Sequence, residues 1–493
     1  MRGIACKSVL TSVPVHLCRN GKRFGRILSV GLMGLSLSGC ILGSEKPLAA
    51  VDIPGAYENG PKKDVEAAVP ALDWWRGFRS EELTTLIQEA QFSNLDVAIA
   101  VAQIVQADAQ VGIAGAPLLP SLTGTASAER LRQSATRTLP AQTFSLYNVG
   151  LSASYMLDFW GKNHATLFSA AESAAASRFN REIVTLTVVT SVANTYFQIL
   201  AARDQLRVAR QNLAASTRIL DLIQKQFNAG TASQLDLSQQ AALVATVRAS
   251  IPPLEVTLKQ NIAALAFLLA SAPAGFTVKG SSLNQITVPR VTPGLPSEIV
   301  NQRPDIRQAE AQLAASNFSV EAARAAFLPQ IELTGTTGFQ SMSLRKLFTR
   351  GAWYYTLMAT VTQPIFDGFL LESQLQQARG VQLQSLQAYR RAILSAFSDV
   401  EKALVALEQT TIQERLQKDV VTNSRKAFEV AEAQLLGGTV SLINVLQTQQ
   451  TLFTAETNLV QVRLNRMLAC VSLFQALGGG WLWPIEPGLV ATQ

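Results

Sequence analysis

From Tyr147 to Phe159 apolar side chains fall on every odd position: Tyr147, Val149, Leu151, Ala153, Tyr155, Leu157 and Phe159. The even positions hold Asn148, Gly150, Ser152, Ser154, Met156 and Asp158. The pattern returns later, where Trp353, Tyr355, Leu357, Ala359, Val361 and Ile365 alternate with Tyr354, Thr356, Met358, Thr360, Thr362 and Pro364. Period-two alternation predicts strands with one apolar and one polar face. Their lengths suit the roughly 9–11 residues of a tilted membrane-spanning strand. Trp353, Tyr354, Tyr355, Phe159 and Trp160 at the ends suit an aromatic girdle. Weaker partner strands are expected near 121–131 and 330–340. An open sheet edge is not tolerated in hydrocarbon, and bacterial barrels start at about eight strands. Four strands per chain therefore reach lipid only by pooling with copies, about eight from a dimer or twelve from a trimer.

The remaining pattern is helical. Leu206, Leu213, Leu220 and Phe227 recur every seven residues, with Ala209 and Ile223 between them. Leu386, Tyr389, Ile393, Phe397, Val400, Leu404 and Leu407 follow steps of three and four. Both read as coiled-coil seams. No Pro or Gly interrupts 162–228, so this stretch predicts one helix of ~100 Å. Pro252-Pro253 should kink or interrupt the helix that follows.

The chain also repeats itself. Asp96 to Pro120 matches Asp305 to Pro329, Gly161 matches Gly368, and the run from Gly230 to Leu237 matches Gly438 to Val445. The separation stays near 208 residues, which is a tandem duplication rather than a solenoid. Each copy predicts helix, strand, strand, long helix, turn, helix.

Composition narrows the chemistry. Of 493 residues 16% are charged, and the histidines are His16 and His164 alone. The cysteines are Cys6, Cys18, Cys40 and Cys470. No phosphate loop, metal-ligand cluster or catalytic constellation is legible, so no enzyme, metal site or cofactor is expected. Cys470 lies in an apolar helical stretch and reads as a core residue. The net charge of +7 misleads, because Arg2, Lys7, Arg19, Lys22, Arg23 and Arg26 precede residue 40 with no acid among them. The remainder carries 36 basic against 35 acidic residues, which removes the case for a nucleic-acid groove.

That basic stretch is followed by a short apolar run, Ile27 to Leu37, as in a secretory signal. Leu37-Ser38-Gly39-Cys40 resembles the bacterial lipobox, which implies a covalent lipid on Cys40. Two or three acyl chains would anchor the protein stably. Ile41, in place of the Asp common in inner-membrane lipoproteins, implies an outer-membrane destination.

Taken together, Trp74-Trp75 with Phe78, Asn94 with Asp96, Leu157-Asp158-Phe159-Trp160-Gly161 and Ile251-Pro252-Pro253-Leu254-Glu255 resemble a known family. Arg303-Pro304-Asp305-Ile306-Arg307-Gln308-Ala309-Glu310, Phe327-Leu328-Pro329 and Ala476-Leu477-Gly478-Gly479-Gly480-Trp481 extend the likeness over the whole mature chain. The family is that of the outer-membrane efflux factors (TolC/OprM-like), in the NodT-like lipoprotein branch serving resistance–nodulation–division (RND) pumps. The resemblance implies a mainly α protein with a membrane β-barrel. Its homotrimer would form a twelve-stranded barrel, four strands per chain, continued by a twelve-helix periplasmic α-barrel with a mixed collar.

The implied organisation is a signal peptide at 1–39, a lipidated segment at 40–82, and two tandem structural repeats at 83–300 and 301–481. A tail follows at 482–493. The first repeat has its strand hairpin at about 119–159 and tip turn at about 229–233; the second has them at about 329–366 and 437–441. The implied function is the outer-membrane exit duct of a tripartite pump that exports small toxic compounds. Its partners are a periplasmic adaptor, an inner-membrane RND transporter and outer-membrane lipid. Type I protein secretion, heavy-metal efflux and a structural coiled-coil lipoprotein are the alternatives.

Carried over by position, Gly230, Thr231, Leu235, Gly438 and Thr439 fall on the adaptor-docking tips, and Ile443, Gln447 and Gln450 on the periplasmic gate. Leu237 and Val445 lie beside them just inside the turns. Relatives often carry an acid and an arginine at the last two gate positions, so glutamines imply a less cation-selective pore shut by packing at Ile443. His164 is expected to be structural or solvated. Two loops at the outer end, with Arg130, Arg132 and Arg137, and with Arg345, Lys346 and Arg350, read either as solvated surface or as contacts to lipopolysaccharide phosphates.

Overall fold

A computed structural model describes residues 47, 57–58, 71–135, 140–289, 291, 300 and 302–479. The chain divides into 1–45 and 46–493, and all described residues belong to the second unit. The signal segment, Cys40, Arg137, Gly480, Trp481 and the tail at 482–493 lie outside them.

The first repeat contains α1 (Glu81–Ser93), α2 (Leu95–Gly115), β1 (Ser121–Gln133), β2 (Gln142–Leu157), α3 (Lys162–Asn228) and α4 (Gln234–Leu268). The second contains α5 (Pro304–Ala325), β3 (Gln330–Ser341), β4 (Trp353–Thr362), α6 (Leu370–Leu436) and α7 (Leu442–Ala476). Helices α3 and α6 have 67 residues each, ~100 Å at 1.5 Å per residue, and α4 and α7 have 35 each. The first and last residues of both pairs are displaced by the same 208 positions. The duplication thus survives as equal helix lengths even where side chains have diverged.

The four strands form one antiparallel sheet in the order β1-β2-β3-β4. The long helices run on from it. Helix α3 packs against α2 and α5 in the half near the sheet and against α4 and α7 in the far half; α6 packs against α5, then α7. Each level is therefore four helices wide, with α2 and then α4 at one edge and α6 at the other.

The shorter helices meet end to end at two matching joints. Asn94 caps α2, accepting from the amides of Asp96 and Val97, and its Nδ2 donates to Leu268 O at the end of α4 (2.8 Å). In the second repeat Arg303 takes this place and donates to Ala476 O at the end of α7 (3.0 Å). The guanidinium is also paired with Asp305 and Asp399 at 2.7 and 3.3 Å. Unpaired carbonyls at helix C-termini need such donors when they cannot reach water.

The largest core forms a belt around these joints. Trp74, Trp75, Phe78, Leu83 and Ile87 pack on Val192, Tyr196, Phe197 and Leu200 of α3, and on Leu265, Val471 and Phe474 from α4 and α7. Trp74 stacks on Phe474 with ring centroids 4.7 Å apart. Each fully buried Leu or Phe there contributes roughly 1.5–3 kcal/mol. Residues 278–283 are strapped to this belt. Glu82 accepts from the Gly280 amide (2.7 Å), Asp204 from the Leu283 amide (3.0 Å), and Arg203 donates to Val278 O (2.6 Å).

Two helical expectations need correction. Of the kink or interruption expected at Pro252 and Pro253, the interruption does not occur, and α4 continues through both. The carbonyls of Arg248 and Ala249, which lose their donors, belong to exposed residues where water can serve them. In α3 the buried line is Leu206, Ala209, Ser216, Ile219 and Ile223, while Leu213, Leu220 and Phe227 are only half-buried beside it. A serine is deep in the seam because glutamines of two other helices bond to it, as described below.

Candidate functional site: ribbon, corners and hairpin tips

Cross-strand register sorts the sheet's faces row by row. Ala126, Val149, Phe339 and Trp353 form one row, and Leu122, Ala153, Gly335 and Leu357 another on the same face. Leu151 with Tyr355, Tyr155 with Leu333 and Ala359, and Leu157 with Ile331 and Val361 complete an apolar band. The opposite face carries Ser127, Asn148 and Gln340, then Thr123, Ser152, Thr336 and Thr356, then Ser121, Ser154 and Thr334. From Leu157 to Tyr147 the strand advances roughly 33 Å at ~3.3 Å per residue, or about 25 Å along a membrane normal at the usual ~40° tilt. That is the height of a barrel's lipid-facing band. Leu357 is 80% exposed and Val361 64%. An apolar face this open requires a cover.

Tyr354 departs from the girdle expected for it. Trp353 and Tyr355 lie on the apolar face with rings 5.4 Å apart, but Tyr354 is on the polar face, its hydroxyl 3.2 Å from Asn148 Oδ1. It reaches Asn148 across Gly338 and Gly150. A Cβ on Gly338 would be 2.4 Å from Val149 O, so β2 and β3 approach closely only because that residue has no side chain.

The strand-to-helix corners are built alike. The Asp158 carboxylate accepts from the amides of Asn163 (2.9 Å) and His164 (2.8 Å), and Asp367 accepts from Leu370 (3.1 Å) and Leu371 (2.9 Å). Burial pushes the Asp158 carboxyl up, but these amides and the His164 ring, 2.6 Å away, outweigh it and hold the group below its usual range. His164 is half-exposed and serves this corner. The turns themselves differ. Gly161 (φ 74) directly precedes α3, whereas Phe369 (φ 69) follows Gly368 (φ 71) before α6. The two aspartates were missed in the sequence; an acid shortly before each helix-start glycine, three residues before Gly161 and one before Gly368, was the available signal.

At the other end, the two tips superimpose in sequence and diverge in detail. Gly230 (φ 75) and Gly438 (φ 71) supply left-handed turns, and the Thr231 and Thr439 hydroxyls donate to Gln226 O and Gln434 O. Ser233 and Asp236 form a reciprocal capping box at the start of α4, while Ser441 makes no side-chain cap on α7. Leu235 is 64% exposed and Ile443, its counterpart 208 residues on, is 60% exposed. Leu237 is half-buried and Val445 fully buried in the tip core with Ile219, Ile223, Phe428, Leu435 and Leu442. Ile443, Gln447 and Gln450, spaced by four and three, share one exposed stripe of α7, opposite buried Leu442, Val445 and Gln449.

Just inside the tips a buried polar node joins three helices. Gln449 Nε2 on α7 donates to the Ser216 hydroxyl (2.6 Å) and to Asn212 Oδ1 (2.9 Å), and Gln240 Nε2 on α4 donates to Ser216 O (2.7 Å). Further from the tips, Glu414 on α6 is ringed by Lys418 (2.8 Å), Arg463 (3.2 Å) and Arg466 (2.7 Å). Burial pushes its carboxyl up, yet the three cations together bring it down to about 2. Cys470 is buried, which pushes its thiol up to about 12. Among the described residues no cluster of His, Cys, Asp or Glu has the makings of a metal site.

Stretches of the α1–α2 region, α3 and α4 are also long and apolar enough to cross a membrane, but half of the α3 window is buried inside the protein. The outer membrane efflux protein family matches residues 86–271 and again 295–479, once per repeat. The pyoverdine export outer membrane protein OpmQ of Pseudomonas putida is 37% identical, covering 95% of this chain and 98% of its own. A membrane protein from Pseudomonas aeruginosa superposes with a TM-score of 0.80 at 30% identity, over 89% of this chain and 98% of that one. The Neisseria gonorrhoeae MtrE outer membrane channel, solved in its open state, gives 0.78 at 27% identity, over 89% and 97%. With both repeats matched and near full-length coverage of these relatives, the chain belongs to the outer membrane efflux protein family.

Proposed function

We propose that three copies of the chain close into a twelve-stranded barrel continued by a twelve-helix tunnel, the exit duct of a tripartite pump for small toxic compounds. One observation carries this reading: the unpaired edges coincide at every level. Strands β1 and β4 are the sheet's two edges, and β1 is exposed along its whole length. On β1's side α2 shows Ile99, Val105 and Ile113 to solvent, and on β4's side α6 shows Val381, Leu383 and Leu394. Closing β4 of one copy on β1 of the next brings these stripes together and removes every edge from lipid. The apolar band then faces the bilayer and the Ser/Thr/Asn face lines the lumen.

In this assembly the tips carrying Gly230, Thr231, Leu235, Gly438 and Thr439 meet the periplasmic adaptor, which links the duct to an inner-membrane RND transporter. The Ile443, Gln447 and Gln450 stripe narrows the entrance. Cys40 carries the lipid anchor. A passive duct needs no cofactor, and the transporter supplies the energy. The name of the OpmQ relative adds a second cargo, pyoverdine.

The detergent-purified protein is expected to run as a trimer by light scattering and to form channels in a planar bilayer. A monomer without conductance refutes the reading. Sensitivity of a deletion strain to dyes, detergents and antibiotics, set beside rescue of pyoverdine release in a strain lacking its own export channel, separates the cargoes.

A further inference from the structure

We propose that the outer rim of the ribbon is a binding belt for the phosphate groups of the outer leaflet's glycolipid, formed by Arg130, Arg132, Arg345, Lys346 and Arg350. The inference rests on the barrel reading above and adds a ligand to it. Arg130 and Arg132 are in strand β1, not in a loop as their sequence context suggested. Arg130 pairs with Ser145 and Arg132 with Thr143. By alternation both share the face of Leu122, Ala126 and Ala128, which is the apolar face. They lie two and four residues beyond Ala128, roughly 5 and 10 Å further along the membrane normal at ~40° tilt. That is headgroup depth, directly above the lipid-facing band.

The second hairpin adds to the same face. Phe348 packs edge-on against Phe339 at 5.6 Å, and Phe339 is in the apolar row with Val149 and Trp353. Leu347 and Ala352 are buried and fix the connection, leaving Arg345, Lys346 and Arg350 exposed around Phe348.

Charge distribution separates this rim from ordinary solvated surface, where both signs intermingle. Among the described residues none of the five cations has an ion-pair partner. The nearby acid, Glu129, pairs with Leu146 on the opposite face. The acids at the ribbon's other end are Asp158, Glu332 and Asp367. Each copy thus offers an unneutralised basic arc at the outer interface and none at the inner one. Arginine forks match phosphate monoesters through paired N–H donors. The fit is to a lipid held against an apolar wall with its phosphates above, rather than to a free anion.

The test uses the full-length trimer and a variant with all five residues changed to Gln. Both are reconstituted in phosphatidylethanolamine nanodiscs doped with bis-phosphorylated lipid A, with its dephosphorylated form, or with phosphatidylglycerol. Retained lipid is counted by native mass spectrometry. The wild type is expected to retain bis-phosphorylated lipid A at least tenfold better than the variant does, and better than it retains either control lipid. Millimolar inorganic phosphate should not release it. Equal retention by the variant, equal binding of dephosphorylated lipid A or phosphatidylglycerol, or release by free phosphate overturns the belt. Planar-bilayer conductance is recorded in parallel. Pores from both proteins with equal lipid retention sink the belt alone, whereas no pore from either sinks the channel reading and the belt with it.

Discussion

Replacing Glu414 by Gln tests how α6 is held to α7. The side chain is 9% exposed and bonded to Lys418, Arg463 and Arg466, while Arg463 also reaches Asn284, next to the strapped segment 278–283. Its pKa is depressed from 4.5 to about 2. A shift of that size corresponds to about 3 kcal/mol at ~1.4 kcal/mol per unit, trimmed to roughly 2–3 because half-exposed Lys418 is screened by solvent. The sign follows from linkage. A carboxyl with a lowered folded pKa stabilises the fold fully above its unfolded pKa, and that contribution fades as pH falls through the folded value. Hydrogen exchange of peptides spanning 410–420 and 460–470, corrected for intrinsic rates, reads it locally. Glu414→Gln should speed exchange roughly 30–150-fold at pH 7. The gap should largely persist at pH 5, shrink to roughly two- to sixfold at pH 3 and vanish below pH 2. A gap unchanged between pH 7 and pH 3, or below about twofold at pH 7, refutes the account.

Three further outcomes follow from the geometry. Gly338→Ala places a Cβ 2.4 Å from Val149 O; it should weaken the β2–β3 pairing by about 1–3 kcal/mol, seen as a lower melting temperature of the detergent-solubilised trimer. Cys470, buried with its thiol raised to about 12, should resist maleimide at pH 8 until the protein is denatured; labelling of the native protein contradicts the burial. At the tips, Ile443→Ala should raise conductance, while Gln447→Ala should leave ion selectivity nearly unchanged; cation selectivity that disappears in Gln447→Ala contradicts a gate held by packing.

The long elements were legible because local pattern and tertiary demand agree in them. Strand alternation around Leu151 and Leu357 gives the apolar face directly, and the Pro- and Gly-free run from 162 to 228 is one helix. Tyr354 misled because it was counted with the girdle for its ring, although the alternation already set it with Thr356 on the polar face. Pro252-Pro253 misled because breaking a helix is costly only where the freed carbonyls cannot find water. The node at Ser216, the ring around Glu414 and the corner aspartates pair residues distant in sequence, or depend on a backbone turn, and neither leaves a periodic signature. Leu235 and Ile443 were assigned different roles although they occupy equivalent positions in the two repeats. The structure leaves both exposed, Leu235 at 64% and Ile443 at 60%.

The clasp at Ser216 consists of a hydroxyl, a backbone carbonyl and amide side chains, with no proton to gain or lose across the range of acidity a bacterium survives. Small solutes and acid equilibrate readily across an outer membrane, so the helices that enclose this buried joint meet whatever the surroundings impose. A fastening of ionised groups would loosen or tighten with the weather outside; one of neutral dipoles keeps the same grip in sour and alkaline habitats alike.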